Sequence, residues 1–210
     1  MKIKFKKYWR KTSLKKEEDG EFLLNHILSH KPNNFLEVGI FHGVTARNVC
    51  ELLFKIHGNN FKFTGIDLFA NDNKKLVDEI APKTLFSNPL KNFYYNHIIK
   101  LDPYTYESVI KLLTKFKRFI TIIKGDSNII LKELVNKNFD YVFLDGGHKY
   151  ETVKNDLYNL KNVVLQNGLI LCDDYNLTYA PGVKKAIDEY VYKNNFKLKI
   201  LNLRFAEIRK

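Results

Sequence analysis

The stretch LEVGIFHGVTARN, residues 36–48, decides the fold. A short apolar run reaches Gly39, a second glycine follows at Gly43, and an amphipathic segment starts immediately afterwards. Strand, glycine turn and helix in that order open a βα unit. Glycines at such a turn let the backbone approach a ligand, and the free N–H groups of the helix start attract an anion. The dinucleotide pattern G-x-G-x-x-G is not met, because Phe41 stands at the middle glycine. No G-K-[ST] follows, so a triphosphate loop is absent as well. What remains is an acid-x-Gly-x-x-x-Gly turn built on Glu37, Gly39 and Gly43.

Outward from this unit the periodicity alternates. Residues 21–30 predict a helix closed by Pro32, and 34–39 the first strand, followed by helix 45–57 and strand FKFTGIDLF (61–69). Helix 104–116, strand 119–125, helix 127–136 and strand FDYVFLD (139–145) come next. Helix 150–165, strand GLILCDD (168–174), helix 180–193 and one or two closing strands in 196–208 complete the chain. The closing strands look short, which predicts a trimmed sheet edge. Such alternation means an α/β fold, a mostly parallel sheet with helices on both faces. Ligands then bind beyond the carboxyl ends of the strands. Glu37, Asp67, Asp145, Asp173 and Asp174 all fall there. Residues 70–103 exceed what one βα connection needs and read as an insertion after the second strand, either a lid-like acceptor wall or a packing excursion.

The chain has 210 residues and a formal charge of +12, from 35 basic and 23 acidic side chains. Residues 1–16 hold eight Lys or Arg and no acid, leaving 27 basic against 23 acidic elsewhere. Residues 1–20 therefore read as a basic arm, solvated and partly frayed, on a single domain over 21–210. Phe5, Tyr8 and Trp9 interleave with its charges, which admits RNA, an anionic membrane or an acidic partner. No apolar run is long enough to span a bilayer, and the start lacks the apolar core of a signal peptide, so the expected location is cytoplasmic. Cys50 and Cys172 lie among apolar neighbours and read as reduced core residues.

Taken together, EVGIFHGVTA, GIDLF, KGDSNII, FDYVFLDGGHKYE and LQNGLILCDDY resemble the class I S-adenosylmethionine-dependent methyltransferases. The last two are similar to the metal-dependent O-methyltransferases, especially the macrocin and mycinamicin sugar O-methyltransferase group, with catechol and caffeoyl-CoA enzymes more distant. The resemblance runs over residues 34–175 and implies a Rossmann-like seven-stranded sheet. It implies that Glu37 orients the amino-acid part of S-adenosylmethionine, and that Gly39, Gly43 and Thr45 meet its carboxylate. Asp67 would hold the ribose, with Asp126 and Ser127 beside the adenine. Asp145, Asp173 and Asp174 match the metal positions, Asp145 also lying against the cofactor. His148 stands where catechol-type enzymes carry a lysine base.

Chemistry points the same way. Methyl transfer from a sulfonium needs an acceptor oxygen behind the methyl and without its proton. A hard divalent ion on carboxylates lowers the pKa of a hydroxyl and fixes it, and three Asp without a Cys/His cluster favour Mg²⁺ over Zn²⁺. Asp145 and His148 are then the catalytic candidates, with His148 as base or as a mere loop histidine. His42 reads as structural or cofactor-adjacent, His97 as a surface residue unless it reaches the acceptor, and Tyr150 and Tyr175 as pocket walls or packing. The expected function is O-methylation of a small molecule, plausibly a sugar. Two other readings stay open. A nucleic-acid methyltransferase gains from the arm but lacks an Asn/Asp-Pro-Pro-Tyr/Phe motif and is not expected, and a non-catalytic cofactor-binding protein would keep the fold alone. The N-terminal helix and the insertion are candidate dimer contacts.

Overall fold

The computed structural model describes residues 3–69, 84, 86–135 and 137–210. Seven strands, β1 (Asn34–Val38), β2 (Lys62–Asp67), β3 (Ile120–Lys124), β4 (Phe139–Leu144), β5 (Val164–Cys172), β6 (Lys197–Leu201) and β7 (Phe205–Arg209), form one sheet. Its order is β3-β2-β1-β4-β5-β7-β6. β1 pairs parallel with β2 and β4, and β4 with β5, whereas β7 runs antiparallel between β5 and β6. The order reverses between β1 and β4, which marks the switch point of a doubly wound sheet. The Rossmann-like class expected from the sequence is the fold observed.

The described residues sort into two compact units. The first comprises Pro32–Gly39, Phe61–Leu68 and Thr121–Lys210 and carries the sheet with α5 (Ser127–Glu133), α6 (Tyr150–Leu160) and α7 (Pro181–Asn194). Leu36, Val38, Ile66, Val142, Leu144 and Ile170 on one sheet face join a core with Leu131, Leu157, Leu160 and Ile187 of these helices. Each such side chain withdrawn from water contributes about 1.5–3 kcal/mol. Alternation puts Phe35, Phe63 and Tyr141 on the other face, where Phe35 stacks on Phe63 at 5.7 Å and on Tyr141 at 5.0 Å. Those rings are buried too, so the central parallel strands β1, β2 and β4 are covered on both faces.

Two expectations for this unit need correction. The sheet edge is not trimmed: β6 and β7 form a full hairpin registered from Lys197↔Arg209 to Leu201↔Phe205. Helix 150–165 stops at Leu160, and β5 starts at Val164, four residues ahead of the expected Gly168. The Phe139 N–H already donates to Val163 O at 2.8 Å, drawing the chain into the sheet before the helix could take another turn.

The second unit, Met1–Lys31, Ile40–Asn60 and Phe69–Ile120, holds α1 (Glu17–His30), α2 (Val44–His57), α3 (Pro89–Phe93) and α4 (Tyr106–Leu113). The basic arm is not frayed over residues 3–16, since Phe5, Arg10 and Leu14 are buried. Arg10 explains why: its guanidinium donates to the carbonyls of His42 (3.0 Å), Pro103 (3.3 Å) and Ser108 (2.9 Å) and to the Ser108 hydroxyl (3.0 Å). α1 begins at Glu17, inside the stretch assigned to the arm. Most of the first half of the anticipated insertion, 70–83 and 85, lies outside the described residues. Its second half contains α3, capped by the Asn88 side chain, and a π-helical segment, Tyr94–Ile99.

Among the described residues no helix is long and apolar enough to cross a membrane. Cys50 and Cys172 are buried and form no disulfide.

Candidate functional site

The ends of β1, β2, β4 and β5 are tied together past their last strand residues. Gly39 N–H donates to Ile66 O (2.9 Å), Asp145 N–H to Val38 O (2.8 Å), Asp173 N–H to Leu144 O (2.9 Å) and Gly125 N–H to Asp67 O (2.9 Å). This staircase brings acids distant in sequence to one rim. At Gly39 the backbone has φ +95°, and an added Cβ would stand 2.0 Å from the carbonyl oxygen of Asp145. Only glycine fits there. Phe41, at the place of the missing fingerprint glycine, keeps the left-handed φ of 49° that a glycine would adopt freely.

Asp145, Asp173 and Asp174 converge, each offering an oxygen within 4.8 Å of the others. Asp145 follows β4 directly and does not cap α6, whose N-cap is Lys149. Asp174 has φ +61°, a left-handed turn that its short polar side chain tolerates. The Asp173 carboxylate is buried and accepts the Asp174 N–H at 2.8 Å. His148 Nε2 lies 2.9 Å from Asp174 Oδ2. A carboxylate only accepts, so Nε2 donates in this contact. Asp174 Oδ1 is buried and accepts no hydrogen bond among the described residues.

Glu37 is 1% exposed, and its Oε2 likewise has no hydrogen-bond partner among the described residues. Burial, with Asp145 and Asp67 nearby, holds its carboxyl well above the usual range. A buried carboxylate oxygen without a donor fits a cationic, hydrogen-bonding ligand group such as an ammonium. The three rim acids are hard oxygen donors, a set that suits a divalent cation, and Asp174 Oδ1 already faces a positive charge, the Arg204 Nη2 at 3.0 Å. Asp126 caps α5 by accepting the Asn128 N–H at 2.9 Å, while the Ser127 hydroxyl donates to Asp156 at 2.6 Å. Gly43 and Thr45 belong to the other unit, Gly43 as the left-handed N-cap of α2 and Thr45 buried in its first turn.

Three residues escaped the sequence reading. Arg204, in the β6–β7 turn, grips Asp173 with Nε at 2.6 Å from Oδ1 and Nη2 at 2.7 Å from Oδ2. Tyr179 sets its ring edge-on to His148 at 6.3 Å. Asp156, within α6, is buried, and desolvation pushes its carboxyl up to about 7. None carries a local motif, although an acid at an apolar helix position was the one available signal for Asp156. Four residues singled out earlier have contacts of their own. His42 is buried, its Nδ1 accepting the Lys11 N–H at 3.2 Å, and desolvation followed by Arg10 draws its pKa down to about 3. His97 is an exposed residue beside Phe93. Tyr150 and Tyr175 bond Glu189 (2.7 Å) and Asp188 (2.6 Å) of α7.

Comparison with solved structures reaches the same fold. The chain is similar to the O-methyltransferase NovP, at 17% identity and TM-score 0.65, covering 92% of this chain and 78% of that one. It is similar to the SAH-bound methyltransferase PaMTH1 of Podospora anserina, at 16% and 0.61, covering 92% and 78%. CalS11, a TDP-rhamnose 3'-O-methyltransferase in calicheamicin biosynthesis, gives 15% and 0.61 over 91% and 79%. At such identities the likeness speaks for the fold. No curated protein matches the chain significantly. A family profile described as a methyltransferase domain matches residues 36–175, from the middle of β1 to the residue after the Asp173–Asp174 turn. Since that span is most of the chain and holds both the glycine turn and the acidic rim, the protein belongs to the methyltransferase domain family.

Proposed function

We propose that this protein is an S-adenosylmethionine-dependent O-methyltransferase that acts on a hydroxyl of a small molecule, a sugar in the first instance, with a divalent cation, Mg²⁺ by its chemistry. One observation carries the reading. Asp174 is divided between two tasks, Oδ2 holding His148 and Oδ1 turned to Asp145, Asp173 and the Arg204 guanidinium, buried and without a hydrogen bond among the described residues.

In this reading Asp145, Asp173 and Asp174 hold the ion. A bound divalent ion supplies positive charge that acidifies a hydroxyl beside it. His148 takes the hydroxyl proton at Nδ1, and Asp174 stabilises the imidazolium through Nε2. Glu37 accepts from the ammonium of the cofactor's amino-acid part, and Gly39 clears the backbone for it. Asp67 holds the ribose, with Asp126 and Ser127 on the adenine side. For Gly43, the N-cap of α2, and Thr45, in its first turn, the sequence resemblance gives the role of meeting the cofactor's carboxylate. The sugar follows from the sequence resemblance, and CalS11, a TDP-rhamnose methyltransferase, is in keeping with it.

Calorimetric titration of S-adenosylhomocysteine, with Mg²⁺ and again after EDTA, tests the cofactor. Micromolar binding is expected, followed by EDTA-sensitive methyl transfer to some member of a panel of hydroxylated sugars. A folded protein that binds no S-adenosylhomocysteine in either condition sinks the proposal.

A further inference from the structure

The fork of Arg204 occupies the acidic cluster before any ion does. Its Nε and Nη2 hold both oxygens of Asp173, and Nη2 is also 3.0 Å from Asp174 Oδ1, close enough for attraction but without an aligned hydrogen bond. Asp173 Oδ1 is thereby saturated, since it also accepts the Asp174 N–H. A cation held there would share Asp174 Oδ1 with the Arg204 guanidinium and take one remaining lone pair on Asp173 Oδ2 beside Asp145.

The placement of Arg204 is built into the backbone. Asn202 and Leu203 both have positive φ, 50° and 54°, and the Arg204 N–H closes the turn on Leu201 O at 3.2 Å. Two left-handed residues make a primed hairpin turn, which normally uses Asn-Gly, and Leu203 adopts it at a steric cost. The Arg204 carbonyl then accepts the Tyr175 N–H at 2.9 Å, pinning the turn to the segment just after the two acids. The fork is thus held at the acids through both its main chain and its side chain.

We propose that Arg204 is a positioning residue and the resident cation of this cluster, fixing the Asp173–Asp174 turn while its charge limits how tightly a divalent cation is held. The inference rests on the metal reading above and concerns this chain's own side chain. With Arg204 present, three carboxylates offer the ion a net charge of two rather than three, so the ion exchanges readily instead of being locked in. Charge dominates over preorganisation here. One unit charge beside a divalent ion changes affinity on the order of tenfold even at the dielectric of bulk water.

The test is Mn²⁺ titration of the full chain, with free Mn²⁺ followed by electron paramagnetic resonance, so no turnover is needed. Arg204→Gln, which removes the charge and keeps a donor, is expected to bind Mn²⁺ about tenfold tighter or more. Arg204→Lys keeps the charge and loses the fork, and is expected to stay within about threefold of the parent. Asp145→Asn added to Arg204→Gln should abolish the gain, locating the ion in this cluster. Thermal unfolding shows that each variant is folded, and Arg204→Met replaces Arg204→Gln if the latter does not fold. Mn²⁺ binding by the parent without tightening in the charge-free variant overturns the role of Arg204 alone. Absence of Mn²⁺ binding in the parent and in every folded variant overturns the metal reading and this inference together.

Discussion

Asp156 shows how burial lets a side chain hold its proton above the usual carboxylate range. It sits on the buried side of α6, within hydrogen-bond reach of the Ser127 hydroxyl, and desolvation raises its carboxyl to about 7. The folded value lies above the unfolded one near 3.8, so its contribution to stability is complete below about pH 4. It is lost as pH rises through about 7, at no more than about 1.4 kcal/mol per unit in between. Asp156→Asn removes that slope. Urea denaturation at pH 4.5 and pH 7.5 should show the variant gaining on the parent at the higher pH, by roughly 2–4 kcal/mol at most. An equal difference at both values would mean that Asp156 is ionised in the fold. The residue was not legible beforehand, because burial of an acid depends on the helix face it lands on. The rim acids were legible because each terminates an apolar strand, as Asp145 does after YVFL. Arg204 was not, since its partner Asp173 follows β5, 31 residues away in sequence, and no local pattern joins them.

Elements whose periodicity is complete in themselves, such as α2, α7, β1 and β4, fall within two residues of where the sequence puts them. Those that depend on a distant partner do not. β5 gains its first residues from pairing with Phe139, and β6 becomes a strand because β7, buried between two neighbours, gives it a template. α1 is a third case. It contains Gly20, which as an interior helical residue costs about 1 kcal/mol relative to alanine. The reason is the arm: a Cβ at Gly20 would be 2.2 Å from the Phe5 ring, so the glycine makes the seat for Phe5. Gly20→Ala is therefore expected to destabilise the protein by about 1–3 kcal/mol, although helix propensity alone says the opposite. With Phe5→Ala already in place, Gly20→Ala should become neutral or stabilising. Chemical denaturation of the four proteins closes the cycle, and additive effects would show that the arm does not sit on α1.

The sheet as a whole creates a tension that no single element contains. Its topology carries Glu37, Asp67 and Asp145, at the ends of three different strands, to one rim, where burial first and the two neighbouring acids second raise the carboxyl pKa of Glu37. A fold selected for stability alone would not keep Glu37 there with an oxygen that meets no donor among the described residues. Glu37→Gln should accordingly stabilise the ligand-free protein at pH 7.5. For a chain of this size each kcal/mol gained raises Tm by about 2–4 °C. Because the folded pKa of Glu37 is raised, its cost appears only above the ordinary carboxylate range, so the gain should fade as pH is lowered toward about 4. The same substitution should weaken S-adenosylhomocysteine binding at least tenfold, because a buried charge paired with an ammonium is replaced by a neutral amide. Thermal unfolding and calorimetry on one preparation read both effects. Unchanged affinity would remove Glu37 from the cofactor site, and a lowered Tm would show that its orphaned oxygen is satisfied in solution. If stability rises while binding falls, the acidic rim is maintained for a ligand and at the expense of the fold that presents it.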